Sequence, residues 1–329
     1  MQRSRIVGTG TYLPERIVTN DDLVKEFGIE TSDSWIRERT GIGARRMAAP
    51  GEATSDMATV ASRRALKMAG IRPEDLDMIV CGTITPDMPF PAAAVFVQAN
   101  LGATHAAAFD VSAACAGSIY ALAVADSFIK SGAKRTILVI GAEMLTRIVD
   151  WKDRNTCVLF GDAAGAMVLV PELRDGHGLL STHLHTDGTQ ADILKIPGGG
   201  SRKPFSKEVI EKREQFVKMN GREVYKTAVR ALEQCSREAL ERNGYRPDDV
   251  QHVIAHQANL RILEAVMKRL EIPLEKCHLN IEEVGNTSSA SVPLTLDQAN
   301  RNGALKDGDL ILMMAIGGGM AWGSALVRW

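Results

Sequence analysis

An internal repeat constrains this 329-residue chain more than any other feature of its sequence. Residues 65–82, ALKMAGIRPEDLDMIVCG, align without a gap on residues 239–256, ALERNGYRPDDVQHVIAH. The offset is 174, from Ala65 to Ala239. Each copy reads as a helix end, a glycine stop, an Arg-Pro turn and a buried strand. The helices before them match too: Met57, Val60, Ala61, Ala65 and Met68 share one face, as do Ala228, Ala231, Leu232, Cys235 and Ala239. The strand predicted at Ile137–Gly141 (ILVIG) matches Ile311–Ala315 (ILMMA) at the same offset. Such continuous apolar strands belong in sheets covered on both faces. A single twofold repeat of this length is not a solenoid. The expectation is two similar α/β halves, 1–176 and 177–329, divided near Asp175–Gly178 and able to share a central helical layer.

Charge and cysteine usage narrow the function. Lys plus Arg number 39 against 40 Asp plus Glu, a net charge of −1, so nothing draws the whole chain to nucleic acid or to anionic membrane. The start, MQRSRIVGTGTYLPE, has no apolar core of the kind a signal peptide needs. No apolar run approaches the roughly 18 residues of a membrane span. The five cysteines (Cys81, Cys115, Cys157, Cys235 and Cys277) are odd in number, widely spaced and form no CxxC. That argues against a disulfide framework or a cysteine zinc site. The expectation is a reducing cytoplasm, no metal, and four cysteines packed as small core residues.

The fifth, Cys115, lies in FDVSAACAGS, between a short strand ending at Val111 and a helical pattern from Ile119. Small neighbours allow a sharp turn and close approach of a substrate. A helix N-terminus offers free N–H groups and partial positive charge, which favour a thiolate. Taken alone, a cysteine in a small-residue packing seam fits equally well. His256, in IAHQANL, sits at the carboxyl end of a predicted strand, where sites of α/β sheets gather. A structural histidine fits that place as readily. Asn286, in VGNTSSASV, falls near the second-copy counterpart of the cysteine loop when Ala116-Gly117-Ser118 is set on Ser289-Ala290-Ser291, an offset of 173. Pseudo-twofold symmetry would bring the two loops face to face. An ordinary Gly-Asn turn is the plain alternative. The run IGGGMAWG (316–323) permits close backbone approach, and can present an N–H to an oxyanion or be a simple turn.

Nearly end to end, from GTGTYLPERIVTN (8–20) to GGGMAWGSALVRW, the chain resembles the β-ketoacyl-acyl-carrier-protein synthase III family of thiolase-fold condensing enzymes. The cysteine loop, HQANLRI, VGNTSSASVP and the GGG ending occur in the family's order. The resemblance implies a five-layered α-β-α-β-α fold. It also implies a catalytic triad of Cys115, His256 and Asn286, and an oxyanion hole from the backbone of Cys115 and Gly318. A coenzyme A tunnel follows, with Trp35 stacking on the adenine, Arg154 on its other side, and Thr31, Arg39, Gly221 and Asn259 nearby. An aromatic plus an arginine suits a planar base. Phe90, in DMPFPAAA, matches a residue that reaches into the pocket of the partner in a homodimer. The partner acyl carrier protein is acidic, which makes Lys226, Arg230, Arg261, Lys268 and Arg269 candidates for its docking patch. No cofactor is implied, only a coenzyme A thioester as substrate.

The implied reaction starts fatty acid synthesis by decarboxylative Claisen condensation of an acyl-CoA, expected to be acetyl-CoA, with malonyl-carrier protein through an acyl-cysteine. The competing reading is a synthase III-like acyltransferase of secondary metabolism with an unusual starter or an oxygen or nitrogen acceptor. Papain-like hydrolases also order Cys, His and Asn but lack the duplication. Thiolases carry a second cysteine before the glycine loop, where this chain has Ala315-Ile316-Gly317. A non-catalytic pocket-shaping subunit would be expected to lose the nucleophile. One departure from the shortest family members stands out: residues 197–217 read as a longer loop, which leaves acyl chain length open.

Overall fold

The computed structural model describes residues 3–329. Its first sheet holds β1 (Arg3–Tyr12), β2 (Met78–Gly82), β3 (Ala107–Val111), β4 (Ile137–Met144) and β5 (Asp162–Glu172), in spatial order β1-β5-β4-β2-β3. The second holds β6 (Gly178–Thr186), β7 (His252–Ala255), β8 (Leu310–Gly317) and β9 (Ala321–Arg328), in order β7-β8-β9-β6. In each, two parallel strands (β2 and β4; β7 and β8) continue into an antiparallel pair. β6 thus takes the place of β1, β7 of β2, β8 of β4 and β9 of β5. The counterpart of β3 is reduced to a single parallel bridge between Val253 and Cys277.

Seven helices complete the layers: α1 (Asp33–Thr40), α2 (Thr54–Ala69), α3 (Ala93–Leu101), α4 (Gly117–Lys130), α5 (Gly221–Arg242), α6 (Leu260–Leu270) and α7 (Ser291–Arg301). Period-2 alternation along the strands assigns the faces. Ile79, Cys81, Leu138 and Ile140 point outward into a cluster with α2 and α3. Met78, Val80, Ile137 and Val139 point inward, where they meet α4, α7 and the inner face of the second sheet, including Ile254, Ile311 and Met313. The outer face of that sheet packs on α5 and α6 through Leu232, Val266, Leu312 and Met314. The result is the five-layered α-β-α-β-α arrangement, with α4 and α7 buried between the sheets. Each fully buried Ile or Leu of that layer, such as Ile119, Leu122 and Leu296, contributes about 1.5–3 kcal/mol.

The repeated helix–turn–strand units form as the sequence predicts. Gly70 and Gly244 end their helices at φ 66° and 72°, and Pro73–Asp75 and Pro247–Asp249 form matching 3-10 turns. One register is corrected. Ala114 and Ser288 both have positive φ, at 46° and 49°, and each opens a 3-10 turn (Ala114–Ala116, Ser288–Ala290) that leads into α4 or α7. The two loops therefore correspond at the general offset of 174, not 173. Cys115 matches Ser289, and α4 begins at Gly117, ahead of the Ile119 expected from apolar spacing.

Candidate active site

Two turns meet head-on between the sheets. The Cys115 turn follows β3, and its copy follows Asn286. Their approach demands glycine at fixed places: a Cβ on Gly141 would lie 2.2 Å from the Ser289 carbonyl oxygen, and one on Gly317 would lie 2.3 Å from the Cys115 amide nitrogen. The triple-glycine turn therefore abuts the nucleophile, with Gly317 against it and Gly318 beside the Leu194 carbonyl.

His256 continues β7, its amide bonded to the Met314 carbonyl at 2.8 Å, and only 2% of it is exposed. Its Nδ1 lies 2.7 Å from the Ser291 hydroxyl, at the start of α7. That hydroxyl has one proton and two partners, the ring and the Ser288 carbonyl, also at 2.7 Å. Given to the Ser288 carbonyl, that proton leaves Ser291 Oγ to accept from Nδ1–H; given to the ring, it puts the imidazole proton on Nε2, the tautomer a donor role requires. Asn286 is pinned by its backbone to Leu159 and Gly161. Its Oδ1 accepts from the Ser288 amide at 2.9 Å, which orients the side chain and leaves Nδ2 without a hydrogen-bond partner among the described residues.

Cys115, His256 and Asn286 all line one cavity of about 680 Å³. Leu159, Phe160, Leu194, Met219, Ile316 and Met320 give it apolar walls, and Trp35, Arg39, Arg154, Gly221, Asn259, Lys226 and Arg261 also lie along it. Burial pushes the Cys115 thiol up to about 12, with the Ser288 hydroxyl opposing and Glu143 reinforcing the rise. Burial likewise lowers His256 to about 3. Burial thus favours thiol and neutral imidazole, against the thiolate that the helix terminus favours. About half a unit charge at a helix end cannot offset full desolvation where no cation stands by.

Along the cavity, Arg39 and Arg154 both lie over the Trp35 ring, at 4.6 and 4.8 Å from its centroid. The space expected to hold a base between Trp35 and Arg154 is closed here. Opening it means a spacing of about 7 Å, two contact distances of ~3.5 Å. Asn259 caps α6 through the Arg261 amide and donates to the Arg39 carbonyl at 3.0 Å, so it ties the aromatic clamp to the second half. Thr31 does not reach the cavity wall; its hydroxyl is buried without a hydrogen-bond partner.

The basic candidates divide. Arg261 and Lys226 line the cavity, although Lys226 also pairs with Glu223 at 2.9 Å. Lys268 and Arg269 sit in the last turn of α6, roughly 10–12 Å along the helix from Arg261 at 1.5 Å per residue. Arg269 pairs with Glu233 at 3.0 Å and shares a separate surface depression with Lys226 and Arg230. Phe90 is 84% exposed, away from this cavity. Loop 197–217 supplies no cavity residue; Leu194 and Met219 on either side of it do. Sequence reasoning missed Glu143, Ser288 and Ser291, which sit directly behind the three lining side chains.

The family model of 3-oxoacyl-[acyl-carrier-protein] synthase III matches residues 109–188, and its C-terminal model matches residues 240–329. A beta-ketoacyl-[acyl-carrier-protein] synthase III of Caldanaerobacter subterraneus subsp. tengcongensis is 53% identical over 324 residues, covering 98% of this chain and 97% of the relative. Another, from Rhodospirillum centenum, is 50% identical over 330 residues, covering 99% of each. The crystal structure of the 3-oxoacyl-[acyl-carrier-protein] synthase III of Aquifex aeolicus superposes with a TM-score of 0.92 at 47% identity, covering 99% of this chain and all of that one. The fold is the thiolase-like fold, and the protein is a condensing acyltransferase. Within that class the chain belongs to the beta-ketoacyl-[acyl-carrier-protein] synthase III family, the condensing enzymes of fatty acid biosynthesis. No helix of the described residues is long and apolar enough to cross a membrane.

Proposed function

We propose that this protein joins a short acyl-CoA, acetyl-CoA first among them, to malonyl-carrier protein in the cytoplasm. The supporting observation is the convergence of Cys115, His256 and Asn286 on one apolar cavity along which Trp35, Arg39 and Arg154 also lie. Cys115, as thiolate, attacks the thioester carbonyl carbon, while the N–H groups of Cys115 and Gly318 hold the oxyanion. The carbon–sulfur bond to coenzyme A breaks, and acyl-cysteine remains. Malonyl-carrier protein then enters. His256 Nε2–H and Asn286 Nδ2–H donate to its thioester oxygen, carbon dioxide leaves, and the enolate carbon attacks the acyl-cysteine.

Trp35, Arg39, Arg154, Gly221 and Asn259 are assigned to coenzyme A, with Thr31 behind them. Arg261 and Lys226 form the docking patch for an acidic carrier, with Arg230, Lys268 and Arg269 further out. Exposed Phe90 suits the homodimer, where it would cap the partner's acyl pocket. The division into 1–176 and 177–329 then separates the nucleophile from the enolate-binding pair.

The test is to incubate the protein with acyl-CoAs from acetyl to decanoyl, branched ones included, and weigh the intact protein. The expected result is a short acyl adduct, absent in Cys115→Ser, that discharges with carbon dioxide release on addition of malonyl-carrier protein. An adduct that malonyl-carrier protein cannot discharge points to another acceptor and overturns the condensation. Trp35→Ala is expected to raise KM for acetyl-CoA about tenfold or more with kcat within twofold, in steady-state assays.

A further inference from the structure

Glu143 ends β4 with its carboxylate wholly buried behind the reaction centre. Oε2 accepts from the Thr85 hydroxyl at 2.6 Å, the Ile84 amide at 3.2 Å and the Thr83 hydroxyl at 3.3 Å. Oε1 accepts from the Ser288 hydroxyl at 3.0 Å. Among the described residues it makes no ion pair. A buried carboxylate without a cation is costly, and a fold keeps one most readily where its charge has work to do. Ser288 is the connecting piece. The turn that carries it packs on the Cys115 turn, its hydroxyl opposes the rise of the Cys115 thiol, and its backbone is held in the left-handed region at φ 49°. Such conformations persist where the surroundings fix them. Ser288 therefore stands on the turn that meets Cys115, with its hydroxyl hydrogen-bonded to the Glu143 carboxylate.

We propose that Glu143, acting through Ser288, takes up the thiol proton of Cys115 when the cysteine attacks the thioester, and returns it after condensation. This rests on the reading of Cys115 as nucleophile. Glu143 touches no substrate, so its role is that of a positioning residue for the proton. In the forward step the S–H bond of Cys115 breaks and its proton passes to Ser288 Oγ. The Ser288 hydroxyl proton passes to Glu143 Oε1, and Cys115 Sγ bonds to the acyl carbon as the coenzyme A thiolate leaves. That thiolate takes its proton from solvent. After the enolate carbon displaces Cys115 from the acyl group, the cysteine thiolate recovers its proton from Glu143 by the same path. The site therefore never holds more than one negative charge, borne in turn by Glu143, the leaving thiolate, the malonyl carboxylate and the enolate. During decarboxylation Glu143 is neutral, so it does not repel the enolate forming nearby.

Burial raises Glu143 to about 7, against the hydrogen bonds from Thr85, Ile84 and Ser288 that favour the carboxylate. It can thus exist in either form at neutral pH. The titratable groups facing it are the Cys115 thiol and, within its own sheet, the Cys81 thiol, which burial holds protonated. His256 lies beyond Ser288, against its backbone.

The experiment is single-turnover acylation of the full-length protein by acetyl-CoA, followed by intact mass across pH 6–9. The wild-type rate should rise with pH through about 7, as Glu143 ionises. Glu143→Gln should lose at least fivefold at pH 8 and lose that limb, with half-saturation by acetyl-CoA within twofold. Ser288→Ala should lose as much, and the double variant no more than either. Should Glu143→Gln not fold, Ser288→Ala alone carries the same criterion. A loss below fivefold overturns the proposal. So does a gain, which is the result expected if Glu143 merely repels the thiolate. A wild-type protein that takes no acyl group on Cys115 overturns the nucleophile assignment, and the relay with it.

Discussion

Among the described residues no cation stands beside Cys115, and that shapes how its reactivity varies with pH. With the thiol pushed up to about 12 and the relay cut in Glu143→Gln, alkylation by iodoacetamide should climb about tenfold per pH unit between 7 and 10 and show no plateau, followed by loss of free thiol at Cys115. On the proposed mechanism His256 and Asn286 each offer one donor to the enolate oxygen. His256→Ala and Asn286→Ala should each lower carbon dioxide release from malonyl-carrier protein by about 10²–10³, yet slow Cys115 acylation by less than about tenfold. These three residues were legible in the sequence because each sits at a joint of the repeat, where strand gives way to helix or turn. Their supports were not. Glu143 did show as a carboxylate in the apolar run ILVIGAEM, a conflict with burial. Its partner Ser288 is 145 residues away, so no local spacing could couple the two. Nothing local marks Ser291 and Ser288, since a hydroxyl's partner depends on the meeting of two halves.

Among the elements, loop 197–217 departs furthest from what its sequence suggested. It packs outside the cavity wall. Arg213 reaches Asp150 at 2.8 Å, Lys218 lies 3.5 Å from the same carboxylate, and the Val217 amide bonds to the Ile148 carbonyl. The hydrogen bond from Arg213 lowers Asp150 to about 2. Its unfolded value is about 3.9, so the folded form holds its proton less tightly. The resulting stability is present above about pH 4 and disappears as pH falls toward 2. Asp150→Asn should therefore cost about 1–2 kcal/mol at pH 7 and almost nothing near pH 2, as read from urea unfolding at the two pH values. Helix α6 shows the complementary lesson. Which basic residues border the cavity depends on where its first turn lies, and that is set by the Asn259 cap and its bond to Arg39.

On the scale of the molecule, the duplication foretold the layers, since two sheets with apolar strands on both faces have few ways to pack. It could not foretell where the halves differ. Between β4 and β5 the first copy makes an excursion, Leu145–Gly161, that carries Arg154 and Phe160 to the cavity. Between β8 and β9 the second copy turns at once through Gly318-Gly319-Met320, against Cys115. One topological position thus forms a wall in one half and a close-fitting turn in the other. The halves also touch too closely for error: Gly141→Ala would force a Cβ into the Ser289 carbonyl and should destabilise the protein by about 3 kcal/mol or more, seen as a lowered Tm. The matching turns Ala114–Ala116 and Ser288–Ala290 carry a consequence for descent. An ancestor with two identical copies would have owned two nucleophiles or none. If one turn keeps the sulfur and the other backs the enolate donors, as proposed, exchanging one copy for the other would leave a chain with two nucleophiles or none. Each half became the sole bearer of its trade, and the symmetry that built the molecule is now the one state to which it cannot return.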